Sequence, residues 1–369
     1  MIKKKIQFIF KAFFQKLFIL FYGNIKIFDK FESKNFKKIN LTNIKSDTFP
    51  EKEYYLYEVL NGRIYTDTVE NVAIITNNKI IPDISYQQIH GKLEPSELNK
   101  VLKTGTPRIK KKIKGTVFSL VQGASANNYF HFLFDIIARL KMFEEIYNLS
   151  TIDYFYVSRE LNWQKKIFSL FGIEKQKIIN SDKYRHIEAD KIIAVDHPWY
   201  HKGRVHDEVE NIPTWLVLWL RKKFLHMSKK FDSNEKIFID RSESKFNHCQ
   251  FQNNNEIISF LNTKGFTSYK VGQLDFFEQI YLFNNAKTII GPHGAAFTNI
   301  IFCKPKTNII EIIPKTHPSK KCERLSKILN LNFFRITTDE VENNEKKSGD
   351  IKFTTRDMEE LLKKNSNFQ

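Results

Sequence analysis

Two residues of the stretch NNYFHFLFDIIARL (127–140), His131 and Asp135, are spaced i, i+4 and so share a helix face. A carboxylate beside an imidazole orients the ring and raises its basicity, as a general base requires. Its neighbours Phe130, Phe132, Leu133 and Phe134 allow the other reading, a polar pair at the edge of a core. A second group is GPHGAAFTN (291–299). Ile289 and Ile290 end a strand, Gly291 and Gly294 bracket a tight turn, and Ala295 opens a helix that runs past Asn299. Ligands of open α/β sheets bind beyond the C-terminal strand ends. There, helix N–H groups suit phosphate, and His293 adds a donor. The pattern is neither GxGxxG nor a Walker loop, and an ordinary strand-to-helix turn is the competing reading.

Arg241 directly follows strand 236–240, with Lys245 nearby. A guanidinium at that end grips a diphosphate bidentately, unless it is simply a surface arginine. Glu311 lies among isoleucines in NIIEII, where a buried carboxylate needs hydroxyls or a cation, and a ribose would supply hydroxyls. The loop HPWYHKGRVHDE offers His197, His201, His206, Asp207 and Glu208. Pro198 and Gly203 keep these from aligning on one helix, and HExxH and DxD are absent. An acceptor-binding loop is therefore expected rather than a metal site. The three cysteines, Cys249, Cys303 and Cys322, are scattered without a CxxC pair, which argues against a disulfide framework and for a reducing compartment.

Elements that would hold these residues follow from periodicity. The first 22 residues place Ile6, Ile9, Phe10, Phe13, Phe14, Leu17, Leu20 and Phe21 on one helical face, with Lys4, Gln7, Lys11 and Gln15 opposite. That run is too interrupted to span a bilayer, which takes about 20 apolar residues. It suits a basic amphipathic helix on an anionic membrane, or else a helix packed on the protein's own core. Residues 51–121 read as short strands (54–60, 63–69, 72–76, 116–121), with a hairpin turn at Asn61-Gly62. TPRIKKKIKG (106–115) holds five basic residues and no acid, and reads as a solvated loop. From residue 127 helices and strands alternate. After 236 the alternation sharpens into four strands of a parallel sheet. A polar stretch near 231–235 marks the boundary. The expected organisation is a helix (1–22), a first domain (23–232), a second domain (233–338) and a charged helical tail (339–369).

The chain has 369 residues and a net charge of +18, with 41% hydrophobic and 27% charged residues. This excludes a disordered chain and predicts an anionic partner: membrane, nucleic acid or phosphorylated substrate. No nucleic-acid module is found. An excess of Lys, Ile, Asn and Phe over Ala and Gly has the character of an AT-rich genome, so part of the charge carries no function.

Taken in order, NNYFHFLFDIIARL, IDRSESKFNHCQFQNNNEI and LDFFEQIYLFNNAKTII followed by GPHGAAFTNIIFCKPKTNIIEI resemble the motifs of glycosyltransferase family 61, over roughly residues 115–314. The resemblance implies an inverting, metal-independent transferase using a nucleotide-sugar, and a GT-B fold of two Rossmann-like domains facing a cleft. It also implies bacterial relatives that build capsule and lipopolysaccharide. One departure is that Gln250, Phe251 and Gln252 stand where the family often carries arginine before the Asn-Glu pair, here Asn255-Glu256.

The combined expectation is transfer of a hexose or pentose to a hydroxyl of a glycan or lipid-linked acceptor, by a protein on the cytoplasmic face of the cell membrane. His131 and Asp135 are assigned to catalysis. Arg241, Lys245, Gly291, His293, Gly294, Ala295, Asn299 and Glu311 are assigned to the donor, and Asn128, His197 and His201 to the acceptor. No metal or cofactor is assigned. The alternative is a non-catalytic binder of anionic membrane or polymer, which accounts for the charge but not for the glycine turn or the His-Asp helix.

Overall fold

The computed structural model describes residues 2–28, 34–66, 71–89, 91–121, 127–243, 249–317, 319–341 and 349–364. The chain forms two compact units, Met1–Pro213 and Thr214–Gln369. The division comes before helix Thr214–Phe224, not after it near 232. That helix belongs to the second unit, where Arg221 donates to the carbonyls of Ile301 and Cys303, each at 2.7 Å.

The first unit is built on a mixed sheet. Its strands run in the order Lys26–Ile27, Lys79–Ile80, Val72–Thr76, Tyr55–Thr66, His186–Val195, Lys111–Ser119, Tyr154–Val157 and Ile178–Asn180, and Phe36–Asn40 also pairs with Tyr55–Thr66. The half from His186–Val195 to Ile178–Asn180 is parallel, whereas Tyr55–Thr66 is antiparallel to each of its neighbours. This differs from the Rossmann-like domain expected here.

The physical reason lies at Asn61-Gly62, which makes no hairpin. Asn61 takes a left-handed φ of 49° inside one continuous strand. A Cβ on Gly62 would lie 2.9 Å from both Ile192 and Val59 side-chain carbons, so the neighbouring strand packs where only glycine fits. The basic run 111–115 likewise enters a strand instead of a loop, paired with the start of His186–Val195. Tyr57, Val59, Ile64, Val117, Tyr156, Ile187 and Ile192 form the core beneath.

The second unit has a five-stranded, all-parallel sheet: Thr267–Tyr269, Lys236–Ile239, Thr288–Pro292, Asn308–Pro314 and Asn332–Thr338. In chain order these are strands two, one, three, four and five, a doubly wound arrangement whose switch point lies between Lys236–Ile239 and Thr288–Pro292. The strands are apolar runs buried on both faces, as Ile237, Phe238, Ile289, Ile290, Ile309 and Ile310 illustrate. The C-terminal segment is no free tail. Met358, Leu361 and Leu362 of helix Thr355–Lys364 are buried in the same core as Ile257 and Leu261.

Helix Ile2–Tyr22 projects an apolar stripe into solvent, with Phe10 at 64%, Leu20 at 81% and Phe21 at 71% exposure. Its last turn is tied to the first unit, where the Tyr22 hydroxyl accepts the Lys110 N–H at 3.1 Å. Among the described residues no helix is long and apolar enough to cross a membrane.

Candidate functional site

The helix expected from the stripe of residues 129–140 forms and runs on to Glu144, with a π-helical segment, Phe132–Ile137, in its middle. Such segments widen the turn and recur at functional sites. Asn128 is the N-cap: its side-chain oxygen accepts the N–H groups of Phe130 at 3.0 Å and His131 at 3.3 Å. That oxygen is thereby committed to the helix rather than presented to an acceptor.

Asp135, 1% exposed, collects donors. His131 Nδ1 lies 2.8 Å from Oδ2, and the Trp199 indole N–H donates to Oδ1 at 2.9 Å. His197 Nε2 lies 3.6 Å from Oδ1. The His197 tautomer is set by its other nitrogen, which accepts the backbone N–H of Tyr200 at 2.8 Å and of Trp199 at 3.3 Å. Its proton is therefore on Nε2, toward the carboxylate. Burial alone would raise the Asp135 carboxyl. The interactions with His131 and His197 outweigh it and hold the group well below the ordinary range.

This network fixes the His131 ring by Nδ1 and leaves Nε2 as the atom that can take a proton. The side chain keeps 12% exposure. Burial pulls His197 down to about 4, so it is neutral at physiological pH. His197 was expected to touch the acceptor. It is instead 2% exposed and faces Asp135. His201 stacks on Phe49 at 6.0 Å between ring centres, with its Nε2 buried and unbonded and its pKa drawn down to about 3 by burial. His206 and Asp207 lie at the surface, and Glu208 accepts the N–H of His201 at 3.1 Å.

The second cluster lies at the switch point of the parallel sheet, where the sequence places Arg241 and the 291–299 turn. Both are there. The Arg241 guanidinium, on a residue 8% exposed, donates to the His293 carbonyl. The glycines serve space, not unusual backbone angles. A Cβ on Gly294 would collide with the Arg241 guanidinium, and one on Gly291 would come within 2.8 Å of Ile239 Cβ. The helix after the turn, Ala295–Phe302, is 3₁₀ rather than α. Ala295 is half-buried at its start. Asn299 is fully buried and donates to Gln279 at 3.0 Å, within the unit's interior. Lys245 lies outside the described residues. Gln250 donates to the Arg241 carbonyl at 3.1 Å.

Glu311 holds this cluster together. It is 0% exposed, and its Oε1 lies 2.5 Å from His293 Nδ1. Its Oε2 accepts from Arg335 Nη2 at 3.0 Å and Nε at 3.2 Å. With both oxygens occupied, Glu311 positions His293 in place of the expected ribose contact. Burial opposes its ionisation, but His293, the Cys322 thiol and Arg335 bring the carboxyl down to about 2. His293 is lowered by burial, with Lys321 and Arg241 adding to the effect against Glu311, which leaves the ring neutral with Nδ1–H donating.

Lys321 was missed by sequence reasoning. It is 4% exposed, and its ammonium donates to the Gly294 carbonyl at 2.9 Å. Burial lowers its pKa, and the nearby Arg241 charge lowers it further. Two buried cations thus clamp consecutive carbonyls of the turn, an arrangement that favours an approaching anion. Arg335 was missed as well, and so was Trp199, although Trp199 stands inside the quoted histidine loop. Arg335 is the cross-strand partner of Glu311, a relation visible only once strand order is known. His293, Glu311 and Cys322 bring a nitrogen, an oxygen and a sulfur within 4.8 Å of one another. These are ligand types for a divalent ion. An ion there would have to displace His293 or Arg335 from Glu311, beside two further cations.

Comparison with known proteins adds a family. No curated protein matches. Among solved structures, a mutant flavo di-iron protein from Thermotoga maritima aligns at 9% identity over 90% of this chain and 99% of that one. Its TM-score of 0.26 is too low to indicate a shared fold. Residues 129–310 match the model of Glycosyltransferase 61, a stretch running from the helix of His131 into strand Asn308–Pro314, to the residue before Glu311. By that match, the chain belongs to glycosyltransferase family 61.

Proposed function

We propose that the protein transfers a sugar from a nucleotide-sugar to a hydroxyl of a glycan or lipid-linked acceptor, with inversion, in the synthesis of a surface polysaccharide. The observation that carries the reading is the His131–Asp135 pair at 2.8 Å, with the carboxylate buried. His131 Nε2 removes the acceptor proton as the oxygen attacks the anomeric carbon. Asp135 stabilises the imidazolium that forms, and His197 and Trp199 keep Asp135 in place. The bond to the nucleoside diphosphate breaks on the opposite side of the sugar, which inverts the centre. The diphosphate lies on the 291–294 turn, where Arg241 and Lys321 take up its charge in the role that a metal ion plays elsewhere. His293 faces the same group, positioned by Glu311. The apolar stripe of helix Ile2–Tyr22 rests on the anionic cytoplasmic face of the membrane, beside lipid-linked acceptors.

The test is a hydrolysis and transfer screen across nucleotide-sugars, with chelator present, followed by kinetics on the substrate found. His131→Ala should lower kcat by about 10² to 10⁴ and leave nucleotide diphosphate affinity unchanged. Near-normal turnover by the folded variant would remove the proposed base. Activity restored only by manganese would overturn the metal-free leaving-group assignment. A fold stabilised by no nucleotide diphosphate would favour the polymer-binding alternative.

A further inference from the structure

The last turn of helix Ile2–Tyr22 packs against the basic segment that follows Gly105. A Cβ on Gly105 would come within 2.7 Å of Ile19, and the Tyr22 hydroxyl accepts the Lys110 N–H at 3.1 Å. The Lys110 ammonium lies 5.4 Å from the centre of the Tyr22 ring, which sits edge-on to His186. Leu20 and Phe21 of that turn stay exposed, and so does Ile109, the neighbour of Lys110. At 83%, Ile109 is the most exposed large apolar side chain among the described residues. Its flanks are basic: Arg108, Lys111, Lys112 and Lys114 are all exposed, and no acidic residue occurs between Lys103 and Gly115.

We infer that segment 108–114 is a second membrane-binding element, which inserts Ile109 into an anionic lipid surface beside the end of the helix. The inference rests on the reading of that helix as membrane-bound and extends it to a part of the chain far away in sequence. An aliphatic side chain between cations fits the boundary where acyl chains meet anionic headgroups, with the lysine stems lying along the apolar layer. Nucleic acid would meet the cations and leave Ile109 and the phenylalanine stripe in water. A second copy of the chain would oppose one basic surface to another. A bilayer with anionic lipid satisfies both features. The hydrogen bond between Tyr22 and Lys110 makes the two elements one platform, so helix and segment engage together.

The experiment uses the full chain with an environment-sensitive fluorophore at Ile109→Cys or at Phe13→Cys, since the three native cysteines are buried. Each labelled protein is mixed with phosphatidylcholine vesicles with and without phosphatidylglycerol. The expected result is a blue shift at both positions with the anionic vesicles only. Lys111→Gln and Lys112→Gln should each weaken vesicle binding about fivefold, the worth of one basic residue near an anionic surface. A shift at position 13 with none at 109 would overturn the inference and leave the helix reading standing. No shift at either position would overturn both. A concentration-dependent shift without lipid would show that a second copy covers the surface, and would overturn the inference as well.

Discussion

His131 and His293 both meet a buried carboxylate through Nδ1, yet they are prepared for opposite tasks. Asp135 is surrounded by N–H groups from His131, Trp199 and His197, so it acts as a fixed negative charge behind a ring whose outer nitrogen takes a proton. His293 is neutral because burial and the charges of Lys321 and Arg241 disfavour the imidazolium. With Nδ1–H held by Glu311, its Nε2 can donate to a phosphate oxygen only after gaining a proton. The bound anion supplies the compensation that the empty site lacks, so the His293 pKa should rise on binding. Nucleotide diphosphate affinity should therefore increase as pH falls from about 8 to about 6, relative to a His293→Gln variant whose affinity carries only the phosphate's own titration. Calorimetry in buffers of different ionisation enthalpy measures the proton taken up. Equal pH dependence in the two proteins would remove His293 from the donor site.

At the scale of elements, the helix of His131 and the turn of His293 depend on different local devices. Asn128 closes the helix start by accepting two N–H groups, so Asn128→Ala should cost about 1 kcal/mol of stability, whereas Asn128→Asp should retain most of it. Urea unfolding checks this. An Asn128→Ala protein of unchanged stability that loses acceptor affinity would return Asn128 to the acceptor. In the turn, the constraint is steric. Gly294→Ala places a methyl group into the Arg241 guanidinium, which must swing away from the His293 carbonyl. The expected loss in nucleotide diphosphate binding is about 1 to 3 kcal/mol, the worth of a displaced charge-assisted contact. Titration of the folded variant would detect it. Undiminished affinity would mean that Arg241 does not act on the donor.

For the molecule as a whole, buried neutral histidines set the response to acid. His186 and His197 are drawn down to about 4 and His201 to about 3, in each case chiefly by burial. Unfolded, each titrates near 6.5, so between that value and the folded pKa the unfolded chain binds more protons. Stability is then greatest above about pH 6.5 and falls as pH drops, by about 1.4 kcal/mol per pH unit for each histidine fully in that window. All three belong to the first unit. Unfolding midpoints in urea at about pH 7 and about pH 5 should therefore separate for signals from that unit. A flat profile would mean that these rings gain protons without opening the structure.

Local pattern determined much of this protein. The parallel strands of the second unit, the His131–Asp135 spacing, the convergence of Arg241 with the 291–294 turn and the helical stripe of residues 6–21 all follow from period and residue type. Each involves neighbours in sequence, or strand ends that the rules for parallel sheets bring to one side. Tertiary structure decided the rest because the partners are distant in the chain. Asn61-Gly62 reads as a turn until the strand His186–Val195 pairs across it on both sides. Glu311 reads as a carboxylate awaiting a ligand until Arg335, from the next strand, and His293 occupy its oxygens. His197 reads as part of an acceptor-binding loop until burial turns its Nε2 toward Asp135. Lys321 gives no local signal at all, since only the folded chain brings its ammonium to the carbonyl of Gly294. Periodicity reports which face of an element is apolar. Which buried polar group meets which is settled by desolvation, after the elements have packed.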